Sequence, residues 1–446
     1  MSFGTYLEAL NAEIDDIKPI KVSGRVVSVK GVVIECKGVS EFVSIGSRCL
    51  VKNKFRRSNV LCEVVGFDDD LVLLMPFGDT EGVGAGEEVE VYQHENDIHP
   101  DESWLGRIIN PFGEPIDGLG PLKPGEKSYL LKNNPPPAHE RQRIGGKIDL
   151  GVKVIDSFVS CCFGQRMGIF AGSGVGKSVL MSMLTKYAAT DVKVIGLIGE
   201  RGREAKEFIE EYLGPEGLKK AVVIMATGDE SALLRKRAAY TTMAVSEFFR
   251  DQGREVLCIM DSVTRFAMAQ REIGLAIGEP PTTKGYPPSV FSELPKILER
   301  AGPGINNTNI TGLFTVLVEG DDQNEPISDA VRGILDGHIV LDRNIAERGR
   351  FPAVDILRSV SRAMPKCNTM HENKIITYGR RMLSTYQDMA EMIRLGAYKK
   401  GTDPEIDLSI GYYSKLEEFL NQRPEESCPM QETYQKLEEI LNIEAE

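Results

Sequence analysis

The run Ala171-Gly172-Ser173-Gly174-Val175-Gly176-Lys177-Ser178-Val179 sets small residues, one cation and one hydroxyl in the order that a polyphosphate requires. It follows the apolar Met167-Gly-Ile-Phe170 and leads into Leu180-Met-Ser-Met-Leu-Thr-Lys, so a buried strand feeds a glycine loop that opens a helix. Glycines let backbone N–H groups turn inward around a phosphate with no Cβ in the way. Lys177 supplies a charge for the β and γ oxygens, and Ser178 a hydroxyl for Mg²⁺. The pattern predicts that residues 171–179 bind ATP with Mg²⁺. Ala171 replaces the first glycine of the commonest form, a change that a negative φ tolerates.

Two further groups complete a hydrolytic chemistry. Asp261 closes the apolar run Val256-Leu-Cys-Ile-Met260, where a carboxylate can hold Mg²⁺ opposite Ser178. The same residue can cap a helix starting at Ser262; its company with the phosphate loop favours the metal role. Gly199-Glu200-Arg201-Gly202-Arg203-Glu204 follows the strand pattern Val192–Ile198. Glu200 is the candidate base that orients the attacking water. Arg201 is the candidate to offset phosphate charge and Glu204 to join the metal's outer shell, against the plainer reading of an acidic helix start.

These groups need a scaffold, and the chain has the length for several domains at 446 residues. Apolar residues make up 41%, and no apolar stretch reaches the ~18–20 residues that cross a bilayer. The first residues carry acids where a signal peptide is apolar, and the eight cysteines show no Cys-x-x-Cys spacing, so buried thiols in a cytoplasmic protein are expected. A net charge of −13 argues against a general nucleic-acid binder.

Four segments are expected. In residues 1–20, Phe3, Tyr6, Leu7, Leu10, Ile14 and Ile17 form one helical face, which either packs on its own domain or docks to a partner or a membrane surface. Residues 21–95 alternate in short β-branched runs cut by turns, the pattern of a small β-barrel. Residues 96–370 alternate buried strands and helices, which implies a largely parallel sheet with nucleotide at its carboxyl ends. Residues 371–446 read as a helical domain.

At this point a family resemblance emerges. Pro352-Ala-Val-Asp355-Ile-Leu-Arg-Ser359-Val-Ser361-Arg362 resembles the signature shared by the α and β subunits of rotary ATPases, and Leu105–Asp117 resembles the entry to their nucleotide domains. Gly285–Gly302, Val318–Gln323 and Gly396–Asp407 resemble the ATPases of type III protein export. Ile327–Leu341 with Ser359–Pro365 is closer to the flagellar branch than to virulence secretion.

The resemblance implies an α/β fold with an N-terminal β-barrel, a RecA-like P-loop ATPase domain and a helical C-terminal domain. It also implies a homohexamer at the inner-membrane face of an export apparatus, with only peripheral membrane association. Arg362 then acts as an arginine finger in the neighbour's site and Phe351 lies against adenine. Implied partners are a stator-like regulatory protein, a central stalk protein, export chaperones with their cargo, and the membrane export gate; nucleic acid is not among them. The non-catalytic subunits of the superfamily carry an amide at the position of Glu200, so an active enzyme is expected here. A synthase subunit and an RNA translocase are the competing readings. The first lacks an acidic lever motif here, and the second has only Lys52–Arg57 as a basic cluster.

Overall fold

A computed structural model describes residues 21–53, 59–93, 96–318 and 325–443; the expected N-terminal helix, most of Lys52–Arg57 and Glu319–Gln323 lie outside the described residues. The chain divides into two compact units. One holds the residues up to Asn96 together with Glu272–Glu279, the other Asp97–Arg271 and the chain from Pro280 onward.

The first unit is a closed six-stranded barrel of β1 (Ser23–Lys30), β2 (Val33–Lys37), β3 (Arg48–Val51), β4 (Val60–Asp68), β5 (Leu71–Pro76) and β6 (Glu88–Gln93), in the order β1-β2-β5-β4-β3-β6. Alternation sends Cys36, Cys49, Val51, Cys62, Val64, Val72, Leu74 and Val89 inward, where they form one fully buried core. Register shifts at Val26/Ser28 and Val64/Gly66 bend the strands enough to close the sheet. Closure removes the unpaired edges that an alternating sheet of this size would otherwise expose.

In the second unit β7 (Asp97–Ile98) pairs with β9 (Tyr129–Leu130), and β8 (Ile108–Ile109) joins the main sheet. The other strands of that sheet are β10 (Arg166–Ala171), β11 (Val192–Glu200), β12 (Ala221–Thr227), β13 (Val256–Asp261), β14 (Gly302–Pro303), β15 (Asn309–Leu317), β16 (Gly337–Leu341) and β17 (Val354–Ser361). Their order is β17-β16-β10-β15-β13-β11-β12-β8, with β14 on the flank of β15. All neighbours are parallel except β16–β17 and β14–β15.

Buried runs serve both faces. Ile169, Ile195, Val223, Leu257 and Leu313 enter one core and Phe170, Val194, Val222, Cys258 and Phe314 the other. The first core also takes Ile375, Ile376, Leu416, Phe419 and Leu437, so the helices Met370–Arg394, Pro404–Leu420 and Met430–Leu441 pack directly on the nucleotide sheet. The helix Met370–Arg394 starts at a capping box in which Thr369 and Glu372 satisfy each other's backbone N–H groups. On the second face the helix Ala232–Asp251 lies so close to the sheet that a Cβ on Gly196 would meet Thr242 Oγ1 at 2.4 Å.

That face also buries a charge pair. Arg300 donates Nε–H and Nη2–H to the two Glu247 oxygens at 2.8 Å each, and both side chains are almost wholly shielded. The remaining Arg300 Nη1 donates to the Leu131 carbonyl, so the cation ties the segment after β9 to the helix Ala232–Asp251. Removing one partner strands the other in a dry interior. Glu247→Ala therefore destabilises the fold by ~3–5 kcal/mol, read as a lower urea midpoint, whereas a mutation of the exposed pair Lys219–Glu216 leaves the midpoint within experimental error.

Candidate active site at the carboxyl edge of the sheet

Three parallel strands end at the same edge of the sheet with a functional group on each, β15 lying between β10 and β13. β10 runs into the phosphate loop, β11 ends at Glu200 and β13 at Asp261. Ala171 is the last residue of β10, a place that suits any L residue, while Gly174 and Gly176 have φ of +78° and +92° that a side chain would strain. Gly176 then caps the helix Lys177–Tyr187, whose first N–H groups point into the loop. Val175 is buried and anchors the loop to the core below; Gly172, Ser173 and Val179 complete it.

Lys177 joins the three strand ends. Its Nζ lies 2.5 Å from Asp261 Oδ1 and 3.3 Å from Glu200 Oε1. Thr315 on β15 donates to the same Asp261 oxygen at 2.6 Å, which fixes the carboxylate from the other side. Ser178, Glu200, Glu204 and Asp261 line one small cavity beside this cluster. Hard oxygen donors in that arrangement fit Mg²⁺, which usually takes one or two carboxylates, waters and substrate phosphates rather than an all-protein cage. No cluster of three or more acidic, His or Cys side chains capable of holding a metal occurs among the described residues, so phosphate oxygens would have to share the ion.

The remaining expected residues fall in different places. Arg201 is 85% exposed and pairs with Glu204 at 2.9 Å, so it turns to solvent and away from Lys177. Phe351 lies over the loop, its ring 3.5 Å from where a Gly176 Cβ would stand, and Gln422 N–H donates to its carbonyl at 2.7 Å. Arg362 follows β17, and its N–H donates to the Asp336 carbonyl at 2.9 Å. Asp336 also binds Arg166 at the first residue of β10. Arg362 thus stands at the opposite edge of the sheet from its own phosphate loop.

Sequence reading missed Arg265. It sits in the helix Val263–Ala276 one turn after Asp261, and its Cβ packs where a Gly199 Cβ would come within 2.8 Å. Gly199, at φ +69°, has no side chain to block the arginine, whose charge acts on Glu200. The spacing Asp261–Arg265 was the available signal, because a helix that begins just past a strand end brings the residue four positions after that end back over it.

Comparison with known proteins agrees with this geometry. Residues 151–361 match the nucleotide-binding domain of the ATP synthase alpha/beta family, residues 26–91 its β-barrel domain, and residues 370–439 the C-terminal domain of the type III secretion ATPase EscN. The flagellum-specific ATP synthase of Caulobacter vibrioides is 56% identical over 98% of this chain and 100% of its own length. The chain belongs to the flagellum-specific ATP synthase family. The Bacillus subtilis member is 48% identical over 94% of the chain and 95% of its own. Among solved structures, the assembled ATPase EscN of the enteropathogenic E. coli type III secretion system superposes with a TM-score of 0.88, at 40% identity, over 94% of this chain and 100% of that one.

In this family member the site is electrostatically poised. Burial works against the Lys177 charge, but Asp261 and Glu200 outweigh it and hold the ammonium above its ordinary range. Burial and the Asp261 carboxylate push Glu200 up from its ordinary 4.5, more than Lys177 and Arg265 pull it down. A carboxyl with a raised folded value contributes its full stability below the ordinary value and loses it as pH rises through the raised one. Glu200→Gln therefore raises the thermal midpoint of the nucleotide-free protein by a few degrees at neutral pH. Differential scanning calorimetry should show that gain shrink toward pH 4.5, the ordinary carboxyl value; a gain independent of pH would contradict the assignment.

Proposed function

We propose that this chain hydrolyses Mg-ATP as the ATPase of a flagellar protein export apparatus, in a ring whose sites lie between neighbouring copies. One observation supports the shared site above the others: Arg362 is separated from Ala171 by the length of β10. Five residues at about 3.3 Å each put it ~17 Å away. A guanidinium so placed cannot reach its own chain's phosphates and can serve a neighbour's.

ATP binding gives Lys177 phosphate oxygens in exchange for its carboxylates. Asp261, still held by Thr315, and the Ser178 hydroxyl would hold Mg²⁺, which would supply positive charge to offset that of the phosphates. Glu200, released from Lys177, accepts a hydrogen bond from water and later its proton, for which a raised affinity is suited. The neighbour's Arg362 stabilises charge on the departing phosphoryl group. The ring of Phe351, 40% exposed over the loop, offers adenine an apolar wall. Glu204 is assigned to the metal's outer shell, and Arg201 to solvent-side charge balance.

The flagellar assignment draws on relatives of that name at 56% and 48% identity. EscN, at 40%, supports virulence secretion as the second reading. A second EscN structure, at 39% identity, holds its central stalk EscO, which supports a central stalk partner here. No helix among the described residues is long and apolar enough to cross a membrane. The proposed homohexamer is held at the cytoplasmic face by a stator-like protein and the export gate, with chaperones and cargo arriving from the cytoplasm.

Hydrolysis measured against protein concentration, with mass in parallel, tests this. Specific activity should rise cooperatively as a hexamer forms. Glu200→Gln and Arg362→Ala should each lose roughly 10²-fold or more in turnover while still binding nucleotide. Equal turnover by monomer, with a silent Arg362→Ala, would reject the shared site.

A further inference from the structure

β17 does not keep step with β16. Gly337 lies opposite Ser361 and His338 opposite Val360, yet Val340 lies opposite Asp355, so two steps along β16 are matched by five along β17. The three extra residues form a bulge shortly before Arg362. A bulge leaves ladder groups unpaired and re-aims the side chains around it. The Arg362 guanidinium has one weak bond of its own among the described residues, Nη2 to the Arg332 carbonyl at 3.5 Å, so the backbone that carries it sets its direction.

The bulge is pinned from within and from two neighbouring elements. Asp355 Oδ1 accepts the N–H groups of Leu357 at 3.0 Å and Arg358 at 3.1 Å. Ser359 Oγ donates to the Asp355 carbonyl at 2.5 Å and accepts from Val340 N–H at 2.9 Å. From β16, His338 Nε2–H donates to the Arg358 carbonyl at 3.0 Å. From the helix Met370–Arg394, Arg380 Nη2–H donates to the Ser359 carbonyl at 3.0 Å and to the Phe158 carbonyl at 3.1 Å. The residue before it lets the helix come that close: a Cβ on Gly379 would crowd the Phe158 ring at 3.1 Å. These hydrogen bonds of Arg380 go to main-chain carbonyls rather than to a carboxylate, and so fix where the backbone lies.

We propose that Arg380 and His338 are positioning residues for the Arg362 finger: they hold the bulge that aims it, and through Arg380 the helix Met370–Arg394 sets how well the finger meets a neighbour's phosphates. This rests on the role given to Arg362 above. Both residues act on the next subunit's site and not on the phosphate loop of their own chain.

The test is single-turnover ATP hydrolysis by full-length hexamers, with sites in excess of ATP. Arg380→Met and His338→Ala should each slow turnover ~10-fold while nucleotide affinity and ring mass stay unchanged. Each variant is then mixed into rings with Glu200→Gln, which lacks its own base but carries a sound finger. In a head-to-tail ring half the neighbours now supply that finger, so turnover per Arg380→Met or His338→Ala chain should recover to about half that of wild type. A role confined to the chain's own site leaves each mixture at the mean of its parts. Arg362→Ala mixed with Glu200→Gln is the reference. If the reference recovers, a variant that does not is overturned as a positioning residue; if no mixture recovers, the finger assignment falls and the positioning role with it. Should Arg380→Met fail to assemble, His338→Ala, at a half-buried position, carries the same comparison.

Discussion

A single buried ammonium organises the catalytic edge of this protein. Lys177 emerges from a loop whose glycines leave it little other support, and it bridges the last residues of two strands that are not sequence neighbours. Two carboxylates confined in a low-dielectric edge would repel each other; the cation between them makes their proximity tolerable. β13 ends at Asp261 opposite Leu197, and β11 runs three residues further, past a register shift after Ile198, to bring Glu200 within reach of the same ammonium. The phosphate loop, the two strand ends and Thr315 are one electrostatic unit rather than separate motifs.

Much of this was legible in the chain. The phosphate loop carries its own geometry in its glycines, and uninterrupted apolar runs such as Val256–Met260 announce strands covered on both faces. The barrel followed from alternation and turn residues, and its closure is in the structure. Long-range facts were less accessible. Arg201, beside Glu200 in sequence, reads as catalytic, yet consecutive residues at a strand end point to opposite sides, and it faces solvent. Thr315 reaches the site from another strand, through a contact no local pattern encodes. Phe351 was named by resemblance alone, and the contact with Gly176 that positions it depends on the segment after the helix Pro404–Leu420.

That segment also shows how the helical region and the nucleotide edge are joined. Asn421 and Gln422 hydrogen-bond the backbone of Phe351, and the Gln422 side chain accepts from Lys153 N–H and donates to the carbonyls of Gly151 and Glu426. A change in what Phe351 contacts is felt directly by the helices behind it, because buried amides cannot give up such partners without a penalty. On the proposed adenine contact of Phe351, a few polar atoms join the nucleotide to the helical region.

The reversal of β17 has its own consequence. Every strand from β8 through β16 on the main path points its carboxyl end at the nucleotide edge, and a parallel β17 would have delivered the residue after it to the same edge. Running backward, it sends Arg362 to the far side. One change of strand direction thus separates Arg362 from the phosphate loop within each polypeptide. If Arg362 serves a neighbour as proposed, a solitary chain can hold ATP without the guanidinium that hastens its cleavage, and fuel is spared until copies have gathered where work is to be done.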